Sequence, residues 1–176
     1  MILEICANSY QSAINAQVAG AHRIELCSEL SVGGVTPSPS LLKKVMGDIK
    51  IPVHVLIRPR SGNFLYSENE FEIMKETIRL CKDLHCAGIV SGVLHEDYTI
   101  DKKRTLELIE LAKPLSFTFH RAFDEVTYPR EALLQLITLG ADRLLTSGQE
   151  EKAEDGIDLL IELQKLAKNK LTILPG

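Results

Sequence analysis

Short β-branched runs alternate with longer amphipathic stretches from one end of this 176-residue chain to the other, and that alternation constrains the fold most. Strands are predicted at 2–6, 23–27, 53–57, 88–93, 116–120, 143–146 and 171–174. Helical patterns fill the intervals. Ser9 is expected to cap a helix with Ala13, Ala16 and Val18 on its apolar face and Gly20 at its end. Pro39 opens a second helix ahead of Leu41, Leu42 and Val45. Ser67 and Glu70 spell a capping box before Phe71, Met74, Ile78 and Leu80. Further helices are predicted over 107–111, 130–139 and 156–167. A βαβα order of this kind calls for a parallel sheet with right-handed crossovers.

Strand starts recur about every 30 residues, the period of a (β/α)8 barrel. Ala19-Gly20-Ala21-His22-Arg23-Ile24 and Leu139-Gly140-Ala141-Asp142-Arg143-Leu144 repeat one pattern of helix end, glycine turn and strand. Side-chain parity then chooses between a barrel and a doubly wound sheet. One strand face carries Leu3, Ile5, Ile24, Leu26, Val53, Val55, Ile57, Phe117 and Phe119. The other carries Glu4, Cys6, Glu25, Cys27, His54, Leu56, Arg58, Thr118 and His120. Helices on both faces would leave the charged set without water or partners, whereas a barrel turns it into the lumen. The expectation is an α/β, TIM-like (β/α)8 barrel, a single domain over 1–176, truncated after its seventh strand. An unclosed barrel exposes two parallel edges, so a longer chain or a partner subunit is expected to cover them.

Composition narrows the function classes. A 45% hydrophobic and 25% charged chain suits a folded domain, and a net charge of −4 without a basic block gives no nucleic-acid footprint. No apolar run approaches the roughly 20 residues of a membrane span. The first residues read as a strand and not as a secretory signal, so the four cysteines are expected to be reduced thiols in the cytoplasm. Cys81 and Cys86, five apart near a helix end, match no metal-ligand spacing, and His22, His85 and His95 read as surface residues.

The strand ends hold the residues able to do chemistry. Glu4 and Glu25 stand inward on adjacent strands, where glutamate is uncommon; they serve proton transfer or cation binding, or else form ion pairs with Arg58 and Arg121. Arg58 and Arg60 leave the third strand beside a glycine loop, a pattern suited to an anion; the alternative for Arg58 is pairing with Glu4 or Glu25, and for Arg60 simple solvation. His120, Arg121 and Asp124 leave the fifth strand together. His120 suits general acid–base work or a structural hydrogen bond, and Asp124 suits fixing its tautomer or capping the next turn. Cys6 and Cys27 share the inward face of neighbouring strands and suit a soft ion such as copper(I), or else inert packing.

Six ordered motifs carry a family resemblance: Leu3-Glu4-Ile5-Cys6, Arg23-Ile24-Glu25-Leu26-Cys27-Ser28, Gly33-Gly34-Val35-Thr36-Pro37-Ser38, Ile57-Arg58-Pro59-Arg60, Phe119-His120-Arg121-Ala122-Phe123-Asp124 and Leu145-Thr146-Ser147-Gly148. The chain resembles the CutC family over its whole length. The resemblance implies a TIM-like barrel in the cytoplasm, an association with copper homeostasis, and a homodimer or higher homo-oligomer. It also implies copper(I) ligation at Cys6 and Cys27. Two departures stand out: Pro175-Gly176 replaces the family's glycine-rich segment and eighth unit, and His22 stands where aspartate is frequent. Beside copper handling stands an enzyme reading. There Glu4, Glu25, His120 and Asp124 move protons, while Arg58, Arg60, Arg121 and Ser147 hold a small anionic metabolite at the barrel mouth.

Overall fold

Among the described residues, seven four-residue strands follow one another in a single sheet, in the order in which the chain makes them. They are β1 (Glu4–Ala7), β2 (Arg23–Leu26), β3 (Val53–Leu56), β4 (Gly88–Ser91), β5 (Ser116–Phe119), β6 (Arg143–Thr146) and β7 (Thr172–Pro175). The computed structural model describes residues 2–176. Six α-helices alternate with the strands: α1 (Tyr10–Val18), α2 (Pro39–Asp48), α3 (Glu68–Asp83), α4 (Lys102–Ala112), α5 (Pro129–Leu139) and α6 (Ile157–Ala167). The strand and helix order is that of the expected α/β fold of TIM-barrel type. The chain divides into two compact units, Met1–Asn63 with Glu68–Val90, and Phe64–Ser67 with Ser91–Gly176. Among the described residues, no helix is long and apolar enough to cross a membrane.

In the first unit, local signals place the helices. The Ser9 side chain accepts from the Ser12 amide at 3.1 Å and the Ser38 side chain from the Leu41 amide at 3.2 Å. Two expected faces shift. Val18 is exposed, because α1 buries Ala13 and Ala16 instead. On α3 the buried stripe is Phe71, Met74, Ile78 and Cys81, so Cys81 rather than Leu80 keeps the three–four spacing of a helical face. The strands β2 and β3 are buried on both faces: Ile24, Leu26, Val53 and Val55 on one, Glu25, His54 and Leu56 on the other.

In the second unit, Asp101 caps α4 by accepting from the Arg104 amide at 2.9 Å, which starts that helix earlier than its apolar pattern indicated. Phe117, Phe119, Phe123, Leu108 and Leu133 are fully buried in this unit. The Asp142 carboxylate accepts from the Phe117 amide at 2.8 Å and fixes the start of β5.

The internal repeat is a repeat of helix stops. At the end of α1, the Ala21 amide donates to the Ala16 carbonyl and Gly20 to Gln17, each at 3.0 Å, with Gly20 at φ +86°. At the end of α5, Ala141 donates to Leu136 at 3.0 Å and Gly140 to Ile137 at 3.2 Å, with Gly140 at φ +88°. Each is a Schellman cap, in which the left-handed residue lets the chain turn back and satisfy the last helical carbonyls.

Candidate functional site

The inward residues of β1 to β3 form two rows one above the other. In the lower row, register sets Cys6 opposite Glu25, Glu25 opposite His54, and His54 opposite Gly88. Glu25 is 5% exposed and His54 is 3% exposed. Among the described residues Glu25 has no ion-pair partner, and burial, assisted by the nearby Glu4 charge, pushes its carboxyl up to about 8. Glu4 itself is ion-paired with Arg23, its neighbour across the register, and not with Arg58 or Arg121.

The upper row is apolar: Cys27 packs in a buried cluster with Leu56 and Val90. Gly34, at φ +84°, lies over it so closely that a side chain there would strike Leu56 and touch the Cys27 thiol. Cys6 and Cys27 thus share a face but stand in successive rows, Cys6 exposed and Cys27 buried. Parallel-strand spacings put such diagonal α carbons about 8 Å apart, a gap that two cysteine side chains leaning together can bridge. Both thiols are pushed up, Cys27 to about 11 by burial and then by Glu25, and Cys6 to about 12 by partial loss of water around its sulfur and then by the charges of Glu25, Cys27 and Glu4.

Arg58, at the top of β3, spends its guanidinium on backbone carbonyls. It donates to Val32 and Gly34 at 2.9 Å and to Gly62 at 2.8 Å, while its own amide donates to Thr36 Oγ1 at 2.8 Å. It thereby ties the loop after β2 to the loop after β3. Arg60 is also engaged, with Glu70 at 2.6 Å and with the Asn63 carbonyl and side chain at 3.1 Å.

The second unit carries the remaining residues. His120 follows β5; its Nδ1 accepts from the Ala122 amide at 3.2 Å and caps the short helix Arg121–Glu125. Its ring lies 4.8 Å from that of Phe64 and over Gly92, where an added Cβ would come within 2.8 Å of Nδ1. Asp124 is the centre of a loop clasp. Its carboxylate accepts from the Ser147 amide at 3.1 Å, the Gln149 amide at 3.1 Å, Ser147 Oγ at 2.9 Å, Thr146 Oγ1 and Arg121 Nε at 2.7 Å. Arg121 also donates to Ser147 Oγ at 2.7 Å and to the Glu150 carbonyl at 2.9 Å. With Gly148 at φ +78° and Gln149 at φ +65°, the loop turns the Ser147 and Gln149 amides onto the carboxylate, while the Gly148 amide donates to Thr146 Oγ1 at 3.0 Å.

Within the first unit Cys6 stands opposite Glu25 while Cys27 lies one row on, so the two cysteines are not paired, and within the second unit Arg121, Asp124 and Ser147 are hydrogen-bonded to one another. His54 is the inward residue whose place beside Glu25 was not singled out from sequence. Its signal was there: a histidine between Val53 and Val55, in phase with Glu25. Among the described residues, no group of three or more His, Cys, Asp or Glu is placed to hold a metal ion.

Comparison with known proteins supplies the lineage. The CutC family profile matches residues 1–176. The copper homeostasis protein cutC homolog of Homo sapiens is 49% identical over 175 residues, which are 99% of this chain and 64% of that relative. The chain therefore spans a little under two thirds of the human protein's length. A family protein CutC of Parabacteroides distasonis is 50% identical over 176 residues, 99% of this chain and 72% of that one. The crystal structure of CutC from Streptococcus agalactiae superposes with a TM-score of 0.91 at 33% identity, covering 98% of this chain and 86% of that one. An aldolase, QR15, shares the fold alone, with a TM-score of 0.69 at 11% identity over 98% of this chain and 77% of that one. With the profile matched from end to end and half the residues shared with such relatives, this chain belongs to the CutC family.

Proposed function

We propose that this chain handles copper(I) in a reducing, cytoplasmic setting, with Cys6 and Cys27 as the two sulfur ligands. The observation that carries the reading is their shared face on adjacent strands, with Cys27 seated against Leu56 and Val90. Copper(I) is a soft ion that prefers thiolate ligands. All four cysteines are free thiols, as this role requires of the pair. The names of the relatives, copper homeostasis proteins, point the same way. Binding would exchange two protons for one ion, since both thiols sit above their ordinary range. The test is a copper(I) titration against a competing chelator under reducing conditions, on wild type and on Cys6→Ser/Cys27→Ser. One-to-one binding lost in the variant supports the reading; binding that survives the variant overturns it.

A second reading, acid–base catalysis on a small anionic metabolite, is favoured by one observation: the buried Glu25 carboxyl, held near neutrality between Cys6 and His54. Its weakness is the anion anchor, because Arg58, Arg60 and Arg121 already bind carbonyls and carboxylates of their own chain. Phosphate or a small carboxylate that raises the melting temperature of wild type, but not of Glu25→Gln or His54→Gln, would favour this second reading.

A further inference from the structure

The helix stop seen after α1 and α5 occurs a third time, after α3, with different chemistry. There the Cys86 amide donates to the Cys81 carbonyl at 3.0 Å and His85 to Lys82 at 2.9 Å, the same pair of bonds. His85 takes the left-handed place at φ +57° that Gly20 and Gly140 hold in the other two copies. The two positions that such a cap joins are Ala16 and Ala21 after α1, and Leu136 and Ala141 after α5, all four buried and apolar. After α3 they are Cys81 with Cys86. Both are buried, and each thiol shifts the acidity of the other. An apolar contact would satisfy the cap, as it does twice elsewhere, so the paired sulfurs add a capability that the cap alone does not need.

We infer that Cys81 and Cys86 form a reversible disulfide that staples the end of α3 to the turn leading into β4. The six-to-one hydrogen bond holds their backbones together in the way that a disulfide, with about 4.4–6.8 Å between α carbons, requires. The partner is a small-molecule disulfide of the glutathione class. Cys86 sulfur attacks one sulfur of the oxidant, forming a mixed disulfide and releasing one reduced thiol. Cys81 sulfur then attacks Cys86 sulfur, closes the intramolecular bond and releases the second thiol. The two cysteines lose two hydrogens in all and the oxidant gains them. The neighbouring thiols shift in opposite directions, Cys86 lowered by Cys81 and Cys81 raised by Cys86, which fits Cys86 as the first nucleophile. At 3% exposure Cys86 reacts when the cap opens, and a non-glycine residue in the left-handed turn makes this a ready place to open. The inference is independent of copper binding, because it uses neither Cys6 nor Cys27.

Trypsin offers a direct readout, since it cuts after Lys82, between the two cysteines. The folded protein is equilibrated with glutathione disulfide, alkylated, and mapped without reduction, with Cys6→Ser/Cys27→Ser run beside wild type to remove the competing thiols. The expected result is a linked pair of peptides, 80–82 with 83–102, lacking two hydrogens and both alkyl groups, and restored by dithiothreitol. Hydrogen exchange at the end of α3 should slow in the linked form. Both cysteines fully alkylated after equilibration, a glutathione adduct that never closes, or linkage formed only after denaturation would overturn the inference.

Discussion

Glu25 shows how one residue's surroundings set its behaviour. Its carboxyl titrates at about 8 in the fold against an ordinary 4.5, so the folded state binds its proton more tightly than the unfolded chain does. The stability that goes with the neutral carboxyl is whole below about pH 4.5 and is lost as pH rises through about 8, at up to roughly 1.4 kcal/mol per pH unit. Urea melts of wild type and Glu25→Gln across pH 5 to 9 should therefore diverge, with the variant gaining on wild type as pH rises; parallel curves would contradict the burial argument. Arg58 makes the complementary case. A guanidinium with three carbonyl partners is a brace between loops, and Arg58→Ala should cost roughly 2–4 kcal/mol whether or not phosphate is present. Arg58→Lys should recover little of that, because one ammonium cannot copy the fork. A phosphate-dependent loss would instead restore the anion-binding role.

Among the elements, the loop after β6 depends on a residue from the helical turn after β5. Asp124 gathers two amides, two hydroxyls and the Arg121 guanidinium, so Asp124→Ala should lose about 2–4 kcal/mol and speed hydrogen exchange at Ser147 and Gln149. Asp124→Asn should keep part of this, since an amide oxygen still accepts. Unchanged exchange at 147–149 would contradict the clasp. Beside it, Gly148 and Gly156 meet backbone to backbone, and an added methyl at either would collide with the other's chain. Gly156→Ala should therefore lower the melting temperature by several degrees although no φ restriction applies at that position.

At the scale of the whole molecule, the periodicities that sequence exposes are the ones backbone geometry enforces. Alternation by two put Glu25, His54, Cys27 and His120 on the inward side of their strands, and the glycine turns announced the helix stops. Two things were hidden for physical reasons. The partners of Arg58 were hidden because they are backbone carbonyls, which every residue carries and no sequence pattern marks, and those of Asp124 because its amides and hydroxyls come from a loop more than twenty residues away. The stagger between Cys6 and Cys27 was also hidden, because register depends on how adjacent strands slide: Cys6 faces Glu25, and Cys27 stands one row on. The lower row is accordingly protonic and the upper row apolar, and the copper reading asks the two thiols to join across that step.

Proton release on metal binding measures that step most directly. Near pH 7 both thiols are protonated, at about 12 for Cys6 and about 11 for Cys27, so a copper(I) ion bound between two thiolates must displace two protons. Titrating copper(I) into weakly buffered protein while recording pH should give two protons per ion, and none from Cys6→Ser/Cys27→Ser. Release of one proton or none from wild type, or equal release from the variant, would contradict a two-thiolate copper site.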